Sequence, residues 1–380
     1  MTAIHTRYRV SENRHGEKQT GSKDPFRHNR RVSMTTPLRA FCASAALMLA
    51  ATPLWAQSLT ITLAHEEPAD TAASAAHMSA TVFKQMVESM SNGDMAVDIQ
   101  AASALGNQRE RMDLTQAGII QVNIASVGGL AQFYPAINGI ELPFVFPNEI
   151  VAEQVFDGPF GDALTAQISE ATGLHLLGVT AGDFYVFTNS DHMVKSPEDM
   201  AGLKVRTMSV PSHMELMNSL GAAATPVPWD ELYGALETGV VDAQHNPIPI
   251  IAIGNLQEVQ GYATMTNHLY GADWWVTSED FLASLTPEQR RIFITAAETA
   301  KVAGRGAKIA LRANTYGAEF LKEAGLEVYY PNAEEMTAFR EIAVPAVMGT
   351  METEFGADAV ILGQSLIEAV ATAEAEIYGE

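Results

Sequence analysis

Residues 203–247, LKVRTMSVPSHMELMNSLGAAATPVPWDELYGALETGVVDAQHNP, decide the fold. Short β-prone runs alternate there with segments of helical period: strand Lys204–Thr207, helix Ser212–Leu220, strand Ala223–Pro226, helix Trp229–Leu236 and strand Val241–Ala243. Parallel strands joined by helices end on one edge of their sheet, and ligands sit beyond that edge. Arg206 closes the first strand and Asn246 follows the last, so both are expected to point there.

Outside that stretch, composition sets the limits. Residues 1–33 are polar and basic, with eight Lys/Arg against three acids, and Met34 opens a second beginning: Arg39, an apolar run Ala40–Trp55, then Ala56 before Gln57. A charged flank, a run of that length and a small residue at its end predict a secretory signal peptide over 34–56 and periplasmic export, with 1–33 a disordered or mis-assigned upstream extension. Sixteen residues are short for a membrane span, which needs ~20; a retained anchor is the alternative. Of 23 Lys/Arg and 45 Asp/Glu, nine and three precede Gln57, so residues 57–380 hold fourteen bases against 42 acids, a net charge of −28. Such a surface repels nucleic acid and favours solubility, and a monomer is expected. The single cysteine, Cys42, lies in the apolar run, which leaves the exported chain no disulfide, thiol nucleophile or thiolate metal site. No cofactor is called for, and no carboxylate cluster suggests a metal. An exported hydrolase needs an activated nucleophile, and neither G-x-S-x-G nor H-E-x-x-H occurs.

The 324 residues from Gln57 exceed the roughly 250–300 that one core holds, so two lobes are expected. Leu59–Leu63 and Met95–Ile99 read as strands, Asn107 caps a helix whose first turn carries Gln108, Arg109 and Glu110, and Gly118–Ala125 reads as a buried strand ending at Ser126. Two extended passages, Gly182–Ser190 and Tyr262–Thr277, bracket the 203–247 unit, as hinge strands between two lobes would. The first lobe is expected over 57–183 and 271–300, the second over 184–270 and 311–380. Thr286-Pro287-Glu288-Gln289 is a capping box with proline at the first helical position. It opens a long helix expected over 286–325 and spanning both lobes, with a break near Gly304 or Gly306 as an alternative.

Several segments in order, LAHEEPADT, LGNQRERMD, LPFVF, VFDGPFGDAL, SPEDMAGLKVR, ELYGALETGVVDAQHNP and HLYGADWW, resemble the solute-binding subunits of tripartite ATP-independent periplasmic (TRAP) transporters. The resemblance covers nearly the whole chain after residue 56. It implies an α/β, two-lobe periplasmic binding protein fold that closes on a small organic acid, and two integral membrane partner subunits driven by an ion gradient. It also implies that Arg206 pairs with a ligand carboxylate and that Asn246 hydrogen-bonds beside it. A guanidinium fork matches the two oxygens of a carboxylate; the alternative for Arg206 is a surface ion pair, and for Asn246 a turn residue before proline. An ATP-driven or sensory binding protein would share the fold.

Further candidates are Gln108, where the family often has Glu, Arg109, and the strand-end residues His65 and Ser126. His245 stands where Glu is common, and Tyr185 where many relatives carry a second arginine. With Phe184, Trp229, Trp274 and Trp275 nearby, a monocarboxylate with an apolar or aromatic body is credible; a dicarboxylate or sugar acid stays open. Successive strand residues face opposite sides, so one of Trp274 and Trp275 is expected in the cleft, with ordinary core packing the alternative for each aromatic.

Overall fold

The structure, a computed structural model, describes residues 59–379; the expected signal segment, the extension before it and Cys42 lie outside the described residues. In chain order the strands are β1 (Leu59–Ala64), β2 (Met95–Gln100), β3 (Val122–Ala125), β4 (Leu174–Phe184), β5 (Val186–Asn189), β6 (Lys204–Thr207), β7 (Ala223–Pro226), β8 (Ala243–Asn246), β9 (Tyr262–Thr264), β10 (Tyr270–Ser278) and β11 (Glu327–Tyr329). They form two sheets, ordered β2-β1-β3-β10-β4 and β11-β9-β5-β8-β6-β7. Within the first, β1 runs parallel to β2 and β3, and β10 antiparallel to β3 and β4. Within the second, β6 lies parallel to β7 and β8, while β5 is antiparallel to β8 and β9. The chain crosses between the sheets at Tyr185, between β4 and β5, and again between β9 and β10, where Tyr270 pairs with Phe184.

Strands β6 and β7 fall where the alternation placed them, but the third strand of that unit is 243–246 rather than 241–243. Val241 and Asp242 belong to the turn, where Asp242 accepts from the Lys204 N–H at 3.1 Å. The polar Gln-His-Asn run enters a fully buried strand because each side chain finds a partner there: Gln244 with Thr188 at 2.7 Å, His245 with His268 at 3.0 Å, Asn246 with Gln244 at 2.6 Å. A buried polar group is tolerated when it is hydrogen-bonded, which strand propensity alone does not register.

The capping box at Thr286 starts a helix, Pro287–Asn314, of 28 residues, about 42 Å at 1.5 Å per residue. It stops short of the expected residue 325. Thr315 leaves helical geometry at φ −128°, and a separate short helix, Ala318–Glu323, follows Gly317. Gly304 does not break the long helix; a Cβ there would lie 3.1 Å from the Ser79 Cβ, so the glycine permits close approach to helix Ala75–Met90. Farther along, the long helix reaches helix Ile248–Ile253 beside the second sheet.

The C-terminal helices divide between the two sides, where the sequence reading placed both in the second lobe. Helix Ala333–Thr350 packs on helix Pro211–Ser219, whereas Gly356–Tyr378 turns back onto Pro135–Ile140 and helix Glu149–Asp157. A Cβ on Gly139 would sit 2.3 Å from the Ala359 carbonyl oxygen, so backbone meets backbone there; Asn148 donates to the Tyr378 hydroxyl at 2.7 Å. That contact between distant segments leaves no periodic signal in either one.

Candidate functional site

The ends of β1, β3, β6 and β8 converge on a partly open cavity lined by Glu66, Ser126, Arg206 and Asn246, the kind of concave place where small molecules bind. Arg206 closes β6 one residue before its end and pairs in register with Gln244 of β8. It is 3% exposed, and its one side-chain hydrogen bond runs from Nε to the Val227 carbonyl at 2.9 Å. Its Nη1 and Nη2 have no partner among the described residues, although the guanidinium lines the cavity. Burial draws its pKa down to about 10, so it stays cationic at neutral pH, with Tyr185 and Glu66 favouring the charge. A buried charge whose hydrogen-bonding capacity the protein leaves unfilled calls for an anion. Asn246, 6% exposed, spends one amide hydrogen on Gln244, itself held by Thr188, which fixes the amide and leaves its second hydrogen free.

Tyr185 occupies the first crossing. It is buried and lines the cavity, and its hydroxyl has no protein partner among the described residues. Gly271 makes room for the ring: a Cβ there would lie 2.2 Å from Tyr185 Cε2. Burial pushes its phenol well above the ordinary range, so it is neutral and can donate or accept.

Gln108 and Ser126 also line the cavity. Ser126 Oγ donates to Gln108 Oε1 at 2.9 Å, and Gln108 Nε2 donates to Glu66 at 2.7 and 2.9 Å. The capping box of Asn107 and Glu110 sets the angle of that helix. Glu66, held by Gln108, also meets the fully buried Arg111 at 3.3 Å. Trp229 opens helix Trp229–Glu237 and forms an apolar wall with Met208, Ile250 and Ile253. Arg109 stands outside, in a vestibule that shares Gln108, Arg206 and Trp229 with the cavity; it bonds Gln132 at 2.9 Å and pairs weakly with the exposed Asp113.

Four candidates lie elsewhere. His65 is 1% exposed, hydrogen-bonded to His77 at 3.0 Å and absent from the cavity wall; desolvation and the charges of His77 and Arg111 bring it down to about 3. Phe184 packs on Tyr270 and lines a different groove with Phe144 and Asn267. Neither tryptophan of the pair reaches the cleft. Trp274 meets Phe156 at 5.3 Å in one core, and Trp275 meets Phe83 at 5.5 Å in the other. Alternation does send them to opposite faces, but β10 is a central strand covered on both.

The residues of β10 that do reach the cavity are Gly271, Ala272 and Asp273, of which Asp273 alone has a polar side chain; Lys308 of the long helix and Glu67 after β1 join them. The register of β10 against β4 shifts between Ala272 and Trp274, and the irregularity falls at Asp273. Glu66 and Glu67 were within reach of the rule that singled out His65, since they follow the same strand end. Asp273 and Lys308 had no such signal.

A cationic fork and a fixed amide at the strand ends of one sheet, facing carboxylates from the other across a single cavity, define a two-lobe solute receptor. The family model for bacterial extracellular solute-binding proteins, family 7, matches residues 64–354, and the chain belongs to that family. A solute-binding protein of Verminephrobacter eiseniae is 31% identical over 57% of this chain and 64% of its own length; the aligned part thus spans just under two thirds of that relative. Among solved structures, the sugar acid binding protein of Advenella mimigardefordensis in complex with galactonate superposes with a TM-score of 0.76 at 28% identity, covering 83% of this chain and 98% of that one. A TRAP periplasmic solute binding protein from a Polaromonas species, bound to D-erythronate, gives 0.73 at 31% identity over 82% and 98%. The long helix and hinge strands belong to this two-lobe fold.

Proposed function

We propose that this protein is the periplasmic receptor of a TRAP transporter, capturing an organic acid by its carboxylate and delivering it to two membrane subunits for ion-gradient-driven uptake. One observation carries the reading: Arg206 is buried at a strand end and lines the cavity, with both Nη groups unpartnered by the described residues. The ligand carboxylate takes the guanidinium fork, Asn246 donates its second amide hydrogen, and Tyr185 donates its hydroxyl. Each charge-assisted bond contributes about 1.5–3 kcal/mol. Galactonate and erythronate, held by two structural neighbours, are both carboxylates, which supports the assignment.

The protein binds and releases its solute unchanged, and acts after export and removal of the signal segment. Closure around the crossings at Tyr185 and between β9 and β10 buries the ion pair and creates the surface that the membrane subunits read. A thermal-shift screen against organic acids tests the reading. At 100 times its Kd a ligand adds ~2.7 kcal/mol, so at least one carboxylic acid raises Tm by several degrees while its methyl ester or amide does not. A screen in which esters and amides act as well as the acids contradicts it.

A further inference from the structure

Beyond Arg206 the cavity holds charged groups that a simple carboxylate leaves unused. Asp273 sits on β10 at its register shift; the residue is half-buried, and its buried Oδ2 has no hydrogen-bond partner among the described residues. Lys308, 5% exposed, enters from the long helix and makes no hydrogen bond or ion pair with any described residue, Asp273 included, although both line the same cavity. Glu66 and Glu67 flank them; Glu67 accepts from Ser74 at 2.7 Å, and Glu66 is held by Gln108 and Arg111. Glu66, which lines the same cavity, acts electrostatically on both Arg206 and Asp273.

A buried acceptor and a buried donor that attract each other across the cavity without a hydrogen bond between them are costly unless something bridges them. Carboxylates at Glu66, Glu67 and Asp273 oppose a second anionic group on the ligand. Lys308 opposes an ammonium. An alkyl end would leave Asp273 and Lys308 unsatisfied. A hydroxyl both donates and accepts through one atom: it donates to Asp273 and accepts from Lys308.

Resting on the carboxylate reading above, we infer that Asp273 and Lys308 form a hydroxyl-recognising pair that makes this receptor selective for polyhydroxylated monocarboxylic acids over dicarboxylic, unsubstituted and amino acids of equal length. The Asp273 carboxyl, raised by burial to about 7, then shares its hydrogen bonds with the ligand hydroxyl near neutral pH.

Calorimetric titration of the purified protein with two matched series tests this: four- and six-carbon acids that carry hydroxyls, no substituent, a terminal carboxylate or a terminal amine. The hydroxylated acid of at least one length binds at least about 10²-fold more tightly than its three counterparts, because a site built around a hydroxyl rejects analogues lacking it. Asp273→Asn and Lys308→Met each narrow that gap at least about tenfold, with melting curves verifying the fold, and leave the affinity for the unsubstituted acid within a few-fold of the parent. Equal or tighter binding of a dicarboxylate, an unsubstituted acid or an amino acid overturns the inference while leaving carboxylate capture standing. Absence of binding by every acid in both series would instead overturn the capture reading beneath it.

Discussion

Tyr185 shows how much a single position can redirect a site. Its side chain supplies one neutral hydroxyl to the cavity, and Gly271 is what lets the ring lie there. Gly271→Ala puts a methyl group 2.2 Å from Tyr185 Cε2, so the ring must move. Its expected outcome is at least a tenfold loss of affinity for the acid found by thermal shift, with about 1–3 kcal/mol of stability lost to overpacking; calorimetry and urea unfolding read the two effects separately. Unchanged affinity would remove Tyr185 from the site. The positions of Arg206 and Asn246 were legible in the sequence because a parallel strand end has only one place to point. Asp273 was not, because one shifted residue in β10 changes which side chain faces the cavity. That same strand carried the misleading tryptophans, whose size suggested a ligand wall but whose burial on both faces of a central strand makes them core.

Elements with local signals read well from sequence, and those set by partners did not. The boxes at Asn107 and Thr286 fix helix starts through bonds within four residues. In contrast, β8 is a strand because its three polar side chains are all hydrogen-bonded, two of them to partners on other elements, His245 among them. It stacks on His268 of the second crossing at 5.3 Å and lies 5.2 Å from His213, whose ring bonds Glu141 at 2.7 Å; Tyr185 packs against all three rings. Desolvation holds His245 well below its ordinary value and brings His268 from 6.5 to about 3. Both are neutral in the fold and take up protons on unfolding below 6.5, so the stability they contribute is complete above that pH and is lost as pH falls toward 3. His65 behaves likewise. Asp273, raised to about 7, acts in the opposite sense between about 4 and 7, as do the raised Glu153 and Glu215, whereas His77 is lowered and acts with the other three histidines. Tm is therefore expected to fall by several degrees from pH 6.5 to 4.5 at constant ionic strength, and His268→Gln, which keeps a hydrogen bond to Thr266, should flatten the profile. A Tm that rises on acidification would show that these rings are not the neutral groups described.

For the whole molecule, two sheets, two crossings and one long helix place charged side chains of both signs around one cavity in a strongly acidic chain. A net charge of −28 after residue 56 would repel an anionic ligand at long range, but with a Debye length of ~8 Å at physiological salt the buried guanidinium dominates within the cavity. The two-lobe plan was legible from length and the paired extended segments. The return of the last helix to the first sheet was not, since Gly139 and Ala359 meet through backbone atoms that no pattern advertises. Carboxylate capture by Arg206 is the claim on which the rest depends, and calorimetric titration of the parent and of Arg206→Gln with the same acid tests it most directly. The account predicts a loss of at least about 10²-fold in affinity, with the variant's melting temperature without ligand close to or above that of the parent, since an uncompensated buried charge has been removed. Equal affinities in the two proteins would contradict it.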